Sequence, residues 1–101
     1  MSDQLPTFRI VAQPLPADTV DEKDLGHRSK FGGKPNWIQN DDTPTCPDCG
    51  KPMEFVAQLD SIGFDRENGP AARGFMFGDV GLIYVFFCFD DGETCSIFQC
   101  T

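Results

Sequence analysis

The residues with the clearest chemical potential are two cysteines in the run Cys-Pro-Asp-Cys-Gly at 46–50. A Cys-x-x-Cys turn lets two thiolates approach one ion, and backbone amides near the glycine stabilise the negative sulfurs. This arrangement is typical of a structural zinc knuckle. A closed tetrahedral zinc site needs four ligands, so a second pair must come from elsewhere in the chain.

The second pair is predicted in the C-terminal part of the chain. Residues 82–89 form an apolar run, and Asp91-Gly92 is typical of a two-residue type I′ hairpin turn. In that hairpin Cys88 faces Cys95, with Cβ atoms about 4.5–5.5 Å apart on the same face. Zinc bound there would join two distant segments and contribute directly to folding. The predicted zinc ligands are Cys46, Cys49, Cys88 and Cys95.

Other interpretations of these cysteines stay open. Cys88 lies in an apolar strand, where a free cysteine often acts as a small buried hydrophobic residue. Cys88 and Cys95 could also form a disulfide. However, residues 1–5 lack the features of a secretory signal, so we expect a cytoplasmic protein with reduced thiols. A redox role for Cys46 and Cys49 has less support, because no βαβ pattern surrounds them.

Nothing else in the sequence indicates catalysis. The carboxylates at 41–42 and 90–91 are adjacent loop residues, which usually reflect solvation and turn preference rather than acid and base work. The single histidine, His27, lies in a polar stretch. We therefore expect a non-enzymatic domain. The alternatives are a thiol-redox or other enzyme that uses Cys46 and Cys49, and a purely structural domain.

Composition narrows the class of partner. The chain has 101 residues, predicted to form a single domain, and ten phenylalanines that can build a core. No apolar run is long enough to span a membrane.

The net charge of −8 disfavours binding to nucleic acids and anionic membranes, and it favours a basic protein partner.

The patterning predicts a mainly β, small α+β domain, with an antiparallel sheet and a C-terminal hairpin. Strands are predicted at 8–13, 53–60, 82–89 and 94–100, and the last strand is expected to pair with the first. Residues 1–7 are predicted to form a flexible tail and 61–79 a long loop. The predicted partner-binding residues are Asp41, Asp42, Phe64, Asp65, Glu67 and Phe75.

Three ordered motifs resemble the bacterial YwqG-like family. They are Phe-Gly-Gly-Lys-Pro-Asn-Trp at 31–37, the cysteine turn followed by Phe-Val-Ala-Gln at 55–58, and Gly-Asp-Val-Gly-Leu-Ile-Tyr-Val at 78–85. A related block occurs in proteins similar to programmed cell death protein 2. The resemblance implies a compact β protein with a buried Trp turn. The bacterial family is largely of unknown function, but the eukaryotic relatives look like chaperones that bind a basic ribosomal protein, and small acidic bacterial families of this kind also resemble immunity proteins that neutralise toxins.

The sequence departs from a symmetrical double knuckle in one place. Cys88-Phe-Asp-Asp91 carries an aspartate where a second closely spaced cysteine is expected. The fourth ligand is therefore open between Cys95 and Asp91.

Overall fold

The computed structural model describes residues 4–15, 20, 28–60 and 81–100. Within these ranges the fold is mainly β: four strands form one antiparallel sheet, with neighbours in chain order. No helix in the described ranges is long and apolar enough to cross a membrane. The strands are β1 (Lys30–Phe31), β2 (Glu54–Asp60), β3 (Leu82–Phe87) and β4 (Thr94–Gln99).

β3 is an interior strand of the sheet, as the apolar run predicts. It pairs with β2 on one side and with β4 on the other. Leu82, Tyr84 and Phe86 alternate along the strand and are buried on one face, where they form most of the core. The intervening residues are half-buried on the other face. We call the buried side the inner face of the sheet.

β2 carries a β-bulge that the alternating pattern does not predict. The register with β3 shifts between Phe55 and Ala57, and beyond it Gln58 pairs with Tyr84. The extra residue exchanges the faces of the side chains that follow. Gln58 is therefore fully buried, whereas Leu59 is 40% exposed. Uninterrupted alternation along the predicted strand at 53–60 places Ala57 and Leu59 on the same face as Phe55, and the bulge makes that expectation wrong.

The buried polar side chains on the inner face hold the preceding loop. Gln58, Tyr84 and Gln99 make hydrogen bonds of 2.8–3.2 Å to the backbone of residues 36–40. These bonds satisfy backbone groups that would otherwise lose water on burial. They also hold Trp37 against the core, with its ring centroid 4.6 Å from that of Tyr84.

A buried ion pair fastens the chain before β1 to the same face. The Arg28 guanidinium donates from Nε to Asp60 Oδ2 at 2.8 Å, and both side chains are almost completely buried. The backbone carbonyl of Arg28 accepts a hydrogen bond from Gln58 Nε2 at 2.7 Å. A buried charge needs such partners, so removal of either member would leave the other uncompensated.

The predicted strand at 8–13 is wrong. Those residues have no strand pairing, and Ile10 and Val11 are 77% and 82% exposed. Alternation of apolar and polar side chains is only one requirement for a strand, which also needs a free sheet edge to pair with. Lys30 and Phe31 already pair with the edge of β2, at Gln58 and Ala57. The last strand accordingly pairs with β3 and not with 8–13. The predicted loop at 61–79 and residues 1–3 of the predicted tail lie outside the described residues.

Candidate metal centre

The first cysteine turn spans 46–51 and is closed by two backbone hydrogen bonds. The Cys46 amide donates to the carbonyl of Lys51 at 2.8 Å, and the Gly50 amide donates to the carbonyl of Cys46 at 2.9 Å. Gly50 has a φ of 76°, a left-handed conformation that glycine adopts without strain. We call this segment the first knuckle.

The hairpin loop at 88–93 repeats that geometry. The Cys88 amide donates to the carbonyl of Glu93 at 2.8 Å, and the Gly92 amide donates to the carbonyl of Cys88 at 2.8 Å. Gly92 has a φ of 85°. Position by position, Cys88 corresponds to Cys46 and Asp91 to Cys49 of the first turn. We call this segment the second knuckle.

The second knuckle corrects the predicted hairpin. The turn between Cys88 and Glu93 has four residues, 89–92, instead of the predicted two. Asp91 and Gly92 are its last two residues, and the Gly92 amide donates to the Cys88 carbonyl. The strand register is consequently shifted, and Cys95 pairs with Phe86 instead of facing Cys88. The sequence signal for this is Cys-x-x-Asp-Gly at 88–92, which parallels Cys-x-x-Cys-Gly at 46–50.

The two knuckles bring four ligand groups together. One ligand atom from each of Cys46, Cys49, Cys88 and Asp91 lies within 4.8 Å of the others. Of the predicted ligands, three are thus gathered, and Asp91 stands with them in the place predicted for Cys95. Cys95 is half-buried against the core.

The spacing of the four groups suits one metal ion. The sulfurs of Cys49 and Cys88 are 3.6 Å apart. Tetrahedral zinc with Zn–S distances of about 2.3 Å places neighbouring sulfurs about 3.8 Å apart. The Cys46 sulfur lies 3.1 Å from Asp91 Oδ2. The cluster can therefore hold a metal ion with no large rearrangement.

The Cys46 thiol stays protonated without a metal. Burial raises the pKa of the Cys46 thiol to about 12, and the thiol donates to Asp91. The same hydrogen bond is the main reason that the pKa of Asp91 is lowered. A bound cation replaces the thiol proton, because a coordinating thiol is deprotonated outright.

The exposed side of the cluster favours the thiolate instead. Cys49 is exposed, and the backbone amide of Lys51 donates to its sulfur, which is the main cause of its lowered pKa. This is the stabilisation by knuckle amides that the Cys-x-x-Cys-Gly pattern predicts. The four ligands thus differ: Cys46 and Cys88 are buried, whereas Cys49 and Asp91 are exposed.

The segments that contain the two knuckles are acidic. Segments 41–54 and 89–93 carry seven carboxylates and one lysine, and so they account for much of the net negative charge. Lys51 pairs with Asp90 at 3.2 Å across the two knuckles. A cleft of about 110 Å³ lies beside that pair and is lined by Lys51, Pro52, Glu54, Cys88, Phe89 and Asp90.

Two of the predicted partner-binding residues lie in segment 41–54. Asp41 and Asp42 are exposed in the loop before the first knuckle. Thr43 donates to the Asp41 carboxylate through its hydroxyl at 2.6 Å and its amide at 3.0 Å, which lowers the pKa of Asp41. The other four predicted contacts, Phe64, Asp65, Glu67 and Phe75, lie outside the described residues.

Comparisons with known proteins give little functional information. No family model matches the chain, so the resemblance to the YwqG-like family stays a prediction. Over 73 residues, 72% of the chain, it is 34% identical to the uncharacterized protein YpfL of Salmonella typhimurium, of which the match spans 15%. No solved structure matches significantly. The chain is therefore distantly similar to a small part of a much longer protein.

Proposed function

We propose that the chain is a zinc-stabilised, non-enzymatic protein-binding domain of the cytoplasm. The observation that carries this is the convergence of four ligand groups from two turns with the same hydrogen-bond pattern. Three thiolates and one carboxylate form a ligand set that suits Zn²⁺ better than hard cations such as Mg²⁺. The ion would be structural, because it would join the loop before β2 to the β3–β4 hairpin.

The chemistry of the Cys46 thiol favours a structural role over a catalytic one. The thiolate is the reactive form of cysteine, and burial holds the pKa of Cys46 at about 12. Its hydrogen bond to Asp91 keeps the proton on sulfur in the absence of metal. These features argue against an enzyme that uses Cys46 as its nucleophile.

The distribution of charge supports a basic protein as the partner. The acidic segments 41–54 and 89–93 contain the proposed zinc ligands, so zinc would join these two segments. A fixed cluster of one sign of charge steers an oppositely charged protein and raises its association rate. An immunity protein against a toxin and a chaperone for a basic client both fit this description.

Metal content and stability test the zinc site. We expect one zinc per chain in elemental analysis of the purified protein, and a lower Tm after treatment with a chelator. Zinc at 100 times its Kd adds about 2.7 kcal/mol, which corresponds to about 10–20 °C in Tm for a domain of this size. Cys100→Ser, outside the cluster, is the matched control and should retain the metal. A Tm that changes neither on addition of zinc nor on addition of chelator would refute the site.

Affinity capture tests the partner. The immobilised protein should retain a basic protein at low salt and release it at high salt, because screening weakens surface electrostatics. Asp41→Asn with Asp42→Asn should reduce capture, whereas Asp18→Asn with Asp21→Asn makes the same charge change outside the acidic segments. Equal capture by both double variants, or no captured protein at low salt, would count against this surface.

A further inference from the structure

We propose that Cys49 and Cys88 are an oxidation site: hydrogen peroxide converts them to a disulfide, and the metal is released. The inference rests on the proposed function in that the released ion is the proposed zinc. It concerns a different pair from the Cys46 and Cys49 of the knuckle motif, and it needs no catalytic turnover.

The geometry of the pair is the first argument. The two sulfurs are 3.6 Å apart and come from different knuckles. A disulfide has an S–S bond of about 2.05 Å, so the sulfurs must approach by about 1.5 Å. The resulting covalent bond would link the same two segments that the metal links.

Access to the sulfurs is the second argument. Cys49 is exposed, and Cys88, although buried, lines the cleft beside Lys51 and Asp90. Cys46, in contrast, is 1% exposed and engaged with a carboxylate. Hydrogen peroxide is a small neutral oxidant, so it can reach Cys49 from solvent and the product can be trapped by Cys88.

The chemistry balances with one peroxide. The Cys49 sulfur attacks one peroxide oxygen, the O–O bond breaks, and hydroxide leaves and takes a proton from solvent to become water. Cys88 then attacks the sulfur of the Cys49 sulfenic acid, the S–S bond forms, the S–O bond breaks, and a second hydroxide leaves and also takes a proton from solvent to become water. The two sulfurs lose two electrons and the peroxide gains them. Only Cys46 and Asp91 would then remain as ligands, and a bound Zn²⁺ would dissociate.

Peptide mapping tests the pair directly. Cleavage before aspartate separates the relevant cysteines, because Cys46 falls in 42–47, Cys49 in 48–59 and Cys88 in 79–89. After the zinc-loaded protein is treated with excess hydrogen peroxide, we expect a disulfide between peptides 48–59 and 79–89. One zinc should be released to a colorimetric chelator for each disulfide formed, and a thiol reductant with added zinc should restore the bound state.

Matched variants and the metal-free protein separate the possible failures. The double variant Cys95→Ser, Cys100→Ser should give the same disulfide and the same zinc release. Cys49→Ala should give no disulfide between peptides 48–59 and 79–89. Zinc that stays bound while all thiols remain reduced, or a disulfide joining 42–47 to 48–59, would overturn the pair and leave the zinc site intact. A protein that binds no zinc when the metal is supplied, and that still forms the Cys49–Cys88 bond under peroxide, would refute the zinc site and leave the pair intact.

Discussion

The two knuckles have the same backbone geometry and different ligands. In each, the first residue's amide bonds to the carbonyl of the sixth, and the glycine amide bonds back to the first residue. The first knuckle then offers two thiols, whereas the second offers one thiol and the carboxylate of Asp91. Backbone and ligand are thus specified separately: glycine and hydrogen bonds make the turn, and one side chain at the fourth position sets the chemistry.

The comparison also explains the asymmetry of the cluster. The first residue of each knuckle, Cys46 or Cys88, is buried against the core, and the fourth residue, Cys49 or Asp91, is exposed. The buried pair holds the site to the sheet. The exposed pair is the part of the cluster that solvent reaches.

Removal of a buried thiol should have the largest effect. We expect Cys46→Ser to weaken zinc binding by more than about 100-fold, because even loss of a second-shell partner costs about 10–100-fold in metal affinity. Competition with a chromophoric chelator measures the change, with Cys100→Ser as the control. Zinc affinity unchanged in Cys46→Ser would exclude the first knuckle from the site.

Changing the one differing ligand should have a smaller effect that runs in both directions. Asp91→Cys makes the knuckles equivalent and should tighten zinc binding, since thiolates are softer ligands than carboxylates. Asp91→Asn removes the charge and should weaken binding by about 10-fold or more. The same chelator competition ranks the three proteins. Identical affinities would show that Asp91 does not ligate.

The glycines of the two knuckles should respond alike. Gly50→Ala and Gly92→Ala meet no atom within 4 Å, so the strain comes only from the left-handed backbone. That conformation costs an L-residue about 1–2 kcal/mol. We expect urea unfolding of each zinc-loaded variant to show a loss of this size. A large loss at one glycine and none at the other would contradict the equivalence of the two turns.

The ion pair across the knuckles should matter least. Lys51 and Asp90 are 3.2 Å apart with side chains 70% and 61% exposed, so water and salt screen them. A double-mutant cycle with Lys51→Met and Asp90→Asn should give a coupling energy of about 0.2–1 kcal/mol. The coupling should shrink as salt is added. A larger coupling that resists salt would mean that the pair is part of the cluster itself.

Period-two patterning predicts much of the sheet and misses its irregularities. β2, β3 and β4 follow from alternating or continuous apolar runs, and they are confirmed. The bulge at Phe55–Ala57 leaves no mark in the pattern, so the burial of Gln58 is unexpected. β1 is only two residues long and depends on pairing with β2 rather than on its own sequence.

The candidate site was predictable to the extent that its turns were local. Cys-Pro-Asp-Cys-Gly predicts the first knuckle directly. The prediction that Cys95 lies opposite Cys88 depends on a two-residue turn. The turn has four residues, with a hydrogen bond from Gly92 to Cys88, so Cys95 lies opposite Phe86. Asp91 is an open alternative in the sequence, because an aspartate stands where a symmetrical double knuckle would carry its second cysteine.

X-ray absorption at the zinc edge tests the central claim most directly, since it counts the atoms bound to the ion. We predict a first shell of three sulfurs at about 2.3 Å and one oxygen at about 2.0–2.2 Å in the purified protein. A shell of four sulfurs would show that the fourth ligand is another cysteine and not Asp91. No zinc signal from protein loaded with the metal would contradict the convergence of the two knuckles on one ion.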